Sequence, residues 1–261
     1  MQKNKTFLYL VLSVVSLALF IGIWYYFTAV LKIVSPKTLP SPVRVFTSFI
    51  DKFTNPNPDG ATLLVHAVSS LKITLTGYLS AIVVGVPLGI AMAWYPKVDL
   101  YVRPIFDLLK PIPGVAWVPL MIIMMGIGFT SKVTVIFISA IVPVLLNSYS
   151  GIKQTRDVHI WVARTFGASD WQMLTQIAIP TSLPYVMTGI RVALGAAWTT
   201  IVAAELIAST EGLGFMIQQS RGIYRPDIII VGMVTIGIIG AVLATFLMLI
   251  ESVLVKGRSK V

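Results

Sequence analysis

Residues 228–250 read IIIVGMVTIGIIGAVLATFLMLI, an unbroken apolar run with neither charge nor proline. A hydrocarbon layer about 30 Å thick takes roughly 20 helical residues at 1.5 Å each, so this run alone can cross a bilayer. Working back toward the N-terminus, similar stretches recur at Phe7–Leu31, at Ile73–Tyr95, at about Pro113–Ile127 and at Val133–Ser150. A less apolar one, Leu183–Ile207, contains Arg191 and Glu205. These readings predict an all-α polytopic membrane protein with about six transmembrane helices.

Composition agrees. Of 261 residues, 56% are hydrophobic and 11% charged, against roughly a quarter charged in soluble domains. The formal charge of +10 comes without any run of five or six basic residues, so topology and anionic lipid headgroups account for it better than nucleic acid does. Basic residues at both ends, Lys3 and Lys5 and then Lys256, Arg258 and Lys260, predict that both termini are cytoplasmic. The chain has no cysteine and only two histidines, His66 and His159, on opposite predicted sides. It also lacks the Gly-x-x-x-x-Gly-Lys-Ser/Thr loop that cradles nucleotide phosphates. No catalytic residue and no metal ligand set is therefore assigned.

The segments between spans differ in kind. Residues 32–60 carry Pro36, Pro40 and Pro42, a short amphipathic helix predicted over Pro42–Phe53 at the interface, and Asn55-Pro56-Asn57-Pro58-Asp59-Gly60 as an exposed turn. Pro87, flanked by Gly85 and Gly89, predicts a kink and close packing in the second span, whose polar entry begins near His66. A short helix is expected around Val102–Leu109 before the third span.

Residues 153–183 are too polar for lipid and too patterned for a linker. Asp157 is placed to cap a helix over Val158–Phe166, Gly167 permits a sharp turn, and Ser169 with Gln172 forms a capping box for a second helix. Trp171, Leu174 and Ile177 give that helix an apolar edge, and Pro180 is expected to end it. Two readings stay open on these grounds: a hairpin lying on the membrane, or an element that docks a soluble partner.

The same segment carries a resemblance. Trp161-Val162-Ala163, three residues, Gly167, nine residues, then Ile177-Ala178-Ile179-Pro180 is similar to the Glu-Ala-Ala…Gly…Ile-x-Leu-Pro motif of bacterial ABC importer permeases. The branch handling nitrate, sulfonates and taurine is resembled most. Leu109-Lys110-Pro111-Ile112-Pro113, Gly126-Ile127-Gly128, Arg164-Thr165-Phe166-Gly167-Ala168-Ser169, Ala204-Glu205-Leu206-Ile207 and Gly212-Leu213-Gly214 extend the likeness over about residues 60–250. The family's leading Glu is Trp161 here, which removes any salt bridge that Glu makes.

The resemblance implies a type I importer permease fold in the cytoplasmic (inner) membrane of a bacterium. A homodimer, or a pair with a similar permease, would form the pore. Two cytoplasmic ATPase subunits would bind ATP and Mg, and an external binding protein would deliver a small, anionic solute. It makes Arg164, Gly167, Ala168, Ser169, Asp170, Trp171 and Pro180 the ATPase-coupling residues. Importers of pyrimidines, thiamine precursors or other vitamin-like solutes share the architecture, and a secondary transporter or channel is the more distant alternative. The chain then divides into an N-terminal helix with its proline-rich external segment (1–60), a core permease domain (61–252) and a basic tail (253–261).

Charge within a span needs a partner or water. Glu205 is a candidate gate or interhelical lock, or else a residue reaching headgroups. Arg191 cannot be its partner within one helix, because fourteen residues put them about 21 Å apart. Arg191, with Lys72 beside another span, is a candidate either to attract an anion or to be structurally paired. Thr199, Thr200 and Ser139 are candidate pathway-lining hydroxyls, with helix packing as the plainer role.

Overall fold

Lipid offers no partners to backbone N–H and C=O groups, so apolar runs of this length can settle only as structures that satisfy their own backbones. The computed structural model describes residues 2–207 and 209–254 and is helical throughout its regular elements. Of the expected basic tail, residues 253–254 belong to the last helix, and residues 255–261, with its basic side chains, lie outside the described residues.

Eleven helices follow one another: α1 Gln2–Tyr25, α2 Pro42–Asp51, α3 Leu63–Trp94, α4 Pro96–Leu109, α5 Val118–Met125, α6 Phe129–Lys153, α7 Asp157–Thr165, α8 Asp170–Met173, α9 Ile179–Ile207, α10 Leu213–Gly222 and α11 Pro226–Leu254. Five segments are long and apolar enough to span a membrane: residues 11–30, α3, α6, α8 continued through α9, and α11.

The third crossing departs from expectation. Instead of one helix over 113–127, α4 and the Gly114–Met125 segment meet at 84°. Pro111, Pro113 and Pro119 each remove a backbone donor. Twelve helical residues reach only about 18 Å, so a crossing here needs both arms. The count is thus five spans, or six if the bent pair is one.

The core is built from α3, α6 and α9, which pack along most of their lengths, with α11 against α9. Small residues make this possible. Gly77, Ala81, Gly85 and Gly89 recur every fourth position along α3, and a Cβ on any of these glycines would press into α6 at Ile136, Val144 or the Leu145 carbonyl. Such small-residue ridges let helix backbones approach where lipid supplies no hydrophobic drive. α1 contributes little to this core and leaves its apolar surface exposed.

Two shorter elements also differ from expectation. α2 stops at Asp51 and packs against α11, with Val45 buried and Ser48 donating to Asp227 at 2.8 Å. Pro180 does not end a helix: α8 runs through a π turn, Leu174–Ala178, straight into α9. The wider turn loosens the hydrogen-bond register just ahead of the proline ring.

Candidate functional site

The turn between α7 and α8 is fixed by local chemistry. Gly167 sits at φ +80°, a conformation that costs other L-residues about 1–2 kcal/mol. Its N–H donates to the Arg164 carbonyl at 3.0 Å, and the Ala168 N–H donates to the Ala163 carbonyl at 3.0 Å. This pair is the Schellman closure of a helix C-terminus. Two residues on, the Ser169 hydroxyl accepts from the Gln172 N–H and the Gln172 side chain accepts from the Ser169 N–H at 2.8 Å. A helix stop and a helix start therefore lie back to back.

Asp157 is not the cap of α7; Arg156 holds that position without a side-chain bond, and Asp157 is the first helical residue. There its charge still favours the positive end of the helix dipole. Nor does Trp171 join the apolar edge of α8. Met173, Leu174 and Ala178 are buried, the last two against Ala93 and Ile152, while Trp171 is 66% exposed. Phe166 is 87% exposed and Trp161 63%, with Val158 and Val162 also in the open. Arg164 and Asp170 approach to 3.8 Å at the surface, a pair worth little by itself. The hairpin thus presents apolar side chains on a foot anchored in the bundle.

At the far end of the bundle, Glu205 is buried, which overturns the headgroup-contact alternative. Its carboxyl accepts from the Ser70 hydroxyl at 2.7 and 3.0 Å and from the Gly214 N–H at 2.9 Å. Ser70 in turn accepts from the Leu213 N–H at 2.9 Å. One carboxyl therefore ties α3, α9 and the first turn of α10, where exposed N–H groups and the helix dipole favour an acidic partner. The Gly212-Leu213-Gly214 sequence acquires a physical reason. A Cβ on Gly212 would lie 2.3 Å from the Glu205 carboxyl, and one on Gly214 would lie 2.6 Å from the Val202 carbonyl.

This hydrogen-bond network continues into the loop before α3. The Gly212 N–H donates to His66 Nδ1 at 3.1 Å. That nitrogen must carry the lone pair, so Nε2 carries the proton in the neutral ring, and it faces Asp59 Oδ2 at 3.2 Å. Asp59 also pairs with the Lys52 ammonium, which donates to the carbonyls of Asn57 (3.1 Å) and Ala61 (2.8 Å) as well. The turn read as exposed is folded over a buried ion pair, with both side chains almost wholly covered.

Burial alone would raise the Asp59 pKa, but hydrogen bonds from His66 and Lys52 and the lysine's charge outweigh it and hold it below the ordinary 3.8. A lowered carboxyl contributes stability that is complete above that ordinary value and is lost as pH falls through the lower folded value. Thermal unfolding followed from about pH 7 to about pH 3 is expected to show this loss beginning near pH 4. Asp59→Asn is expected to lower the neutral plateau and shrink the acid limb; an acid limb unchanged in that variant would exclude Asp59 as its source.

A family model described as the binding-protein-dependent transport system inner membrane component matches residues 85–260. The chain belongs to this family. The taurine transport system permease protein TauC of Escherichia coli (strain K12) is 38% identical to this permease over 235 residues, covering 89% of it and 84% of the relative. The nitrate import permease protein NrtB of Synechocystis sp. is 33% identical over 226 residues, covering 85% and 82%. Its fold is similar to an inward-facing structure of the MetNI methionine ABC transporter, with a TM-score of 0.63, 19% identity, and coverage of 74% of this chain and 97% of that one.

The other sequence-predicted residues of the permease fall in three places. Arg191 on α9 is ion-paired with Glu251 on α11, which answers the question of its partner. Ser139 and Thr200 hydrogen-bond each other at 2.8 Å between α6 and α9, a packing contact. Thr199 is exposed on α9, its hydroxyl donating to the Gly195 carbonyl. The far-end network of Ser70, Lys52, Asp59 and His66 was not singled out from sequence. The signals available were a lysine seven residues before an aspartate and a histidine seven after it, spacings that carry no known motif. Among the described residues, no three His, Asp or Glu side chains gather as a metal site.

Proposed function

We propose that this permease forms half of the pore of an ATP-driven importer for a small anionic solute of the sulfonate, taurine or nitrate class. A second copy, or a similar permease, forms the other half. Two cytoplasmic ATPase subunits carry ATP and Mg, and an external binding protein delivers the solute. In a bacterial cytoplasmic membrane the α7–α8 hairpin and both termini then face the cytoplasm, and the Glu205 end faces outward.

The observation that carries this reading is the hairpin. A rigid turn that exposes Phe166, Trp161 and Trp171 away from the apolar spans is suited to fill a partner's pocket. Trp161 offers apolar contact where the family's usual acid would offer charge. Because α8 continues into α9, a push on Asp170 or Trp171, or on Arg164, Ala168 and Ser169 by way of the turn, passes along one helix, through Pro180, to Glu205. The names of the taurine and nitrate relatives support the anionic solute class.

Reconstitution tests it. The permease is expected to copurify with a cytoplasmic ATPase, and hydrolysis is expected to rise when the binding protein is loaded with taurine, an alkanesulfonate or nitrate. Gly167→Ala adds a methyl group that meets nothing within 4 Å, so its cost is the backbone's, about 1–2 kcal/mol or roughly 5–30-fold in the docked turn. Hydrolysis is expected to persist while uptake per ATP falls by a similar factor. Wild-type uptake by that variant would reject a coupling role for the turn.

A further inference from the structure

At the Glu205 end, α3, the start of α6 and the turn before α10 border an open cavity of about 570 Å³. Leu64, Val68 and Phe129 give it an apolar wall, and Lys72, Lys132 and Glu211 are its charged residues. Lys132 donates to the Ser209 hydroxyl at 2.9 Å, and Lys72 lies over the Phe129 ring with its ammonium 5.8 Å from the ring centre. Among the described residues neither lysine is salt-bridged, unlike Lys52, Lys110, Arg103 and Arg191.

An ammonium has three N–H groups, and a half-buried one with a single acceptor has donors to spare. Glu211 lines the same cavity, and it and Glu205 act on Lys132 through their charge without forming a salt bridge to it. Topology does not account for these cations either, because basic residues are favoured on the cytoplasmic side and this end faces away from it. Two unpaired ammoniums beside an apolar wall form a site for a ligand with an anionic head and a short carbon body.

We propose that Lys72 and Lys132 form an oxyanion site at the outward end of the bundle, holding the charged head of the solute while Leu64 and Val68 take its carbon chain. This assignment rests on the anionic-solute importer reading. The same chemistry would accept the phosphodiester of an anionic lipid, so the experiment separates the two sources.

Equilibrium binding is measured on the complete permease–ATPase complex, without binding protein or nucleotide, in phosphatidylcholine nanodiscs. The probes are ethanesulfonate and its uncharged counterpart ethanesulfonamide. Saturable binding of ethanesulfonate alone is expected. Lys132→Gln and Lys72→Gln should each weaken it by roughly tenfold, the worth of one charge-assisted hydrogen bond, while Lys132→Arg retains it. Thermal unfolding of each variant checks that it is folded.

Addition of phosphatidylglycerol distinguishes the sources. Competition with ethanesulfonate in the wild type, absent in the Gln variants, keeps the oxyanion site and makes a lipid headgroup a second occupant. Equal binding of ethanesulfonate by the Lys72→Gln/Lys132→Gln double variant would overturn the site, as would binding of neither ethanesulfonate nor phosphatidylglycerol by the wild type. Because nothing is transported, this result is independent of the importer reading, which fails separately if the reconstituted complex carries only uncharged solutes.

Discussion

Gly212→Ala is expected to leave almost no folded permease. The position has φ +125° and ψ 163°, a region essentially restricted to glycine and costing other residues about 1–3 kcal/mol. The added Cβ would lie 2.3 Å from the Glu205 carboxyl, well inside contact distance. Glu205 cannot yield cheaply, because both of its oxygens are held by Ser70 and Gly214 in a buried site. Leaving a buried polar group without its hydrogen-bond partner costs about 1–3 kcal/mol each, and Glu205 has three such contacts to lose. Added to the backbone strain, that is comparable with the entire stability of an ordinary domain, about 5–15 kcal/mol. Yield of monodisperse protein by size exclusion and the unfolding temperature both measure the loss. Gly222→Ala is the control: its Cβ meets nothing within 4 Å at the end of α10, so wild-type behaviour is expected. A Gly212→Ala protein that unfolds at the wild-type temperature would show that Glu205 is not held as described.

The contrast between Gly167 and Gly212 also explains which features could be read from sequence. Around Gly167 every determinant is local. The glycine, the Ser169–Gln172 box and the bonds that close α7 lie within ten residues, so spacing alone predicts the turn. The apolar spans are legible for a similar reason, since bilayer thickness sets a length that composition reveals. Gly212 depends instead on Glu205, and Glu205 on Ser70, 135 positions away. The need of Glu205 for a partner follows from the cost of charge in a span, but which partner answers it depends on how the helices pack. Arg191 illustrates the same division: distance excluded Glu205, while only packing brought Glu251 to it. Pro180 misled because proline was read as a stop. The π turn just ahead of Pro180 loosens the hydrogen-bond register, so the ring and the missing donor are accommodated and the helix continues. The third crossing misled because prolines that bend an apolar stretch leave its hydropathy unchanged.

Lys52→Met tests the least legible part of the molecule and is expected to cost about 3–5 kcal/mol, the range for stranding one partner of a buried ion pair. Methionine roughly matches the length of the lysine stem, so packing is largely kept while the charge and three donors go. The Asp59 carboxyl then keeps only His66, and the Asn57 and Ala61 carbonyls lose their shared donor. The damage should not stay within the turn. Lys52 also fixes where α3 begins, through the bond from the Leu63 N–H to its carbonyl at 2.8 Å. His66, one turn along, holds the Gly212 N–H beside Glu205. Unfolding temperature gives the total, and a double-mutant cycle with Asp59→Asn isolates the pair. If the ion pair is the cause, neutralising Asp59 as well should make the double variant more stable than the sum of the two single losses implies, by about 1–3 kcal/mol. Strict additivity would mean that Lys52 acts only through the backbone carbonyls it caps, and that the Asp59 charge is screened by something other than this lysine.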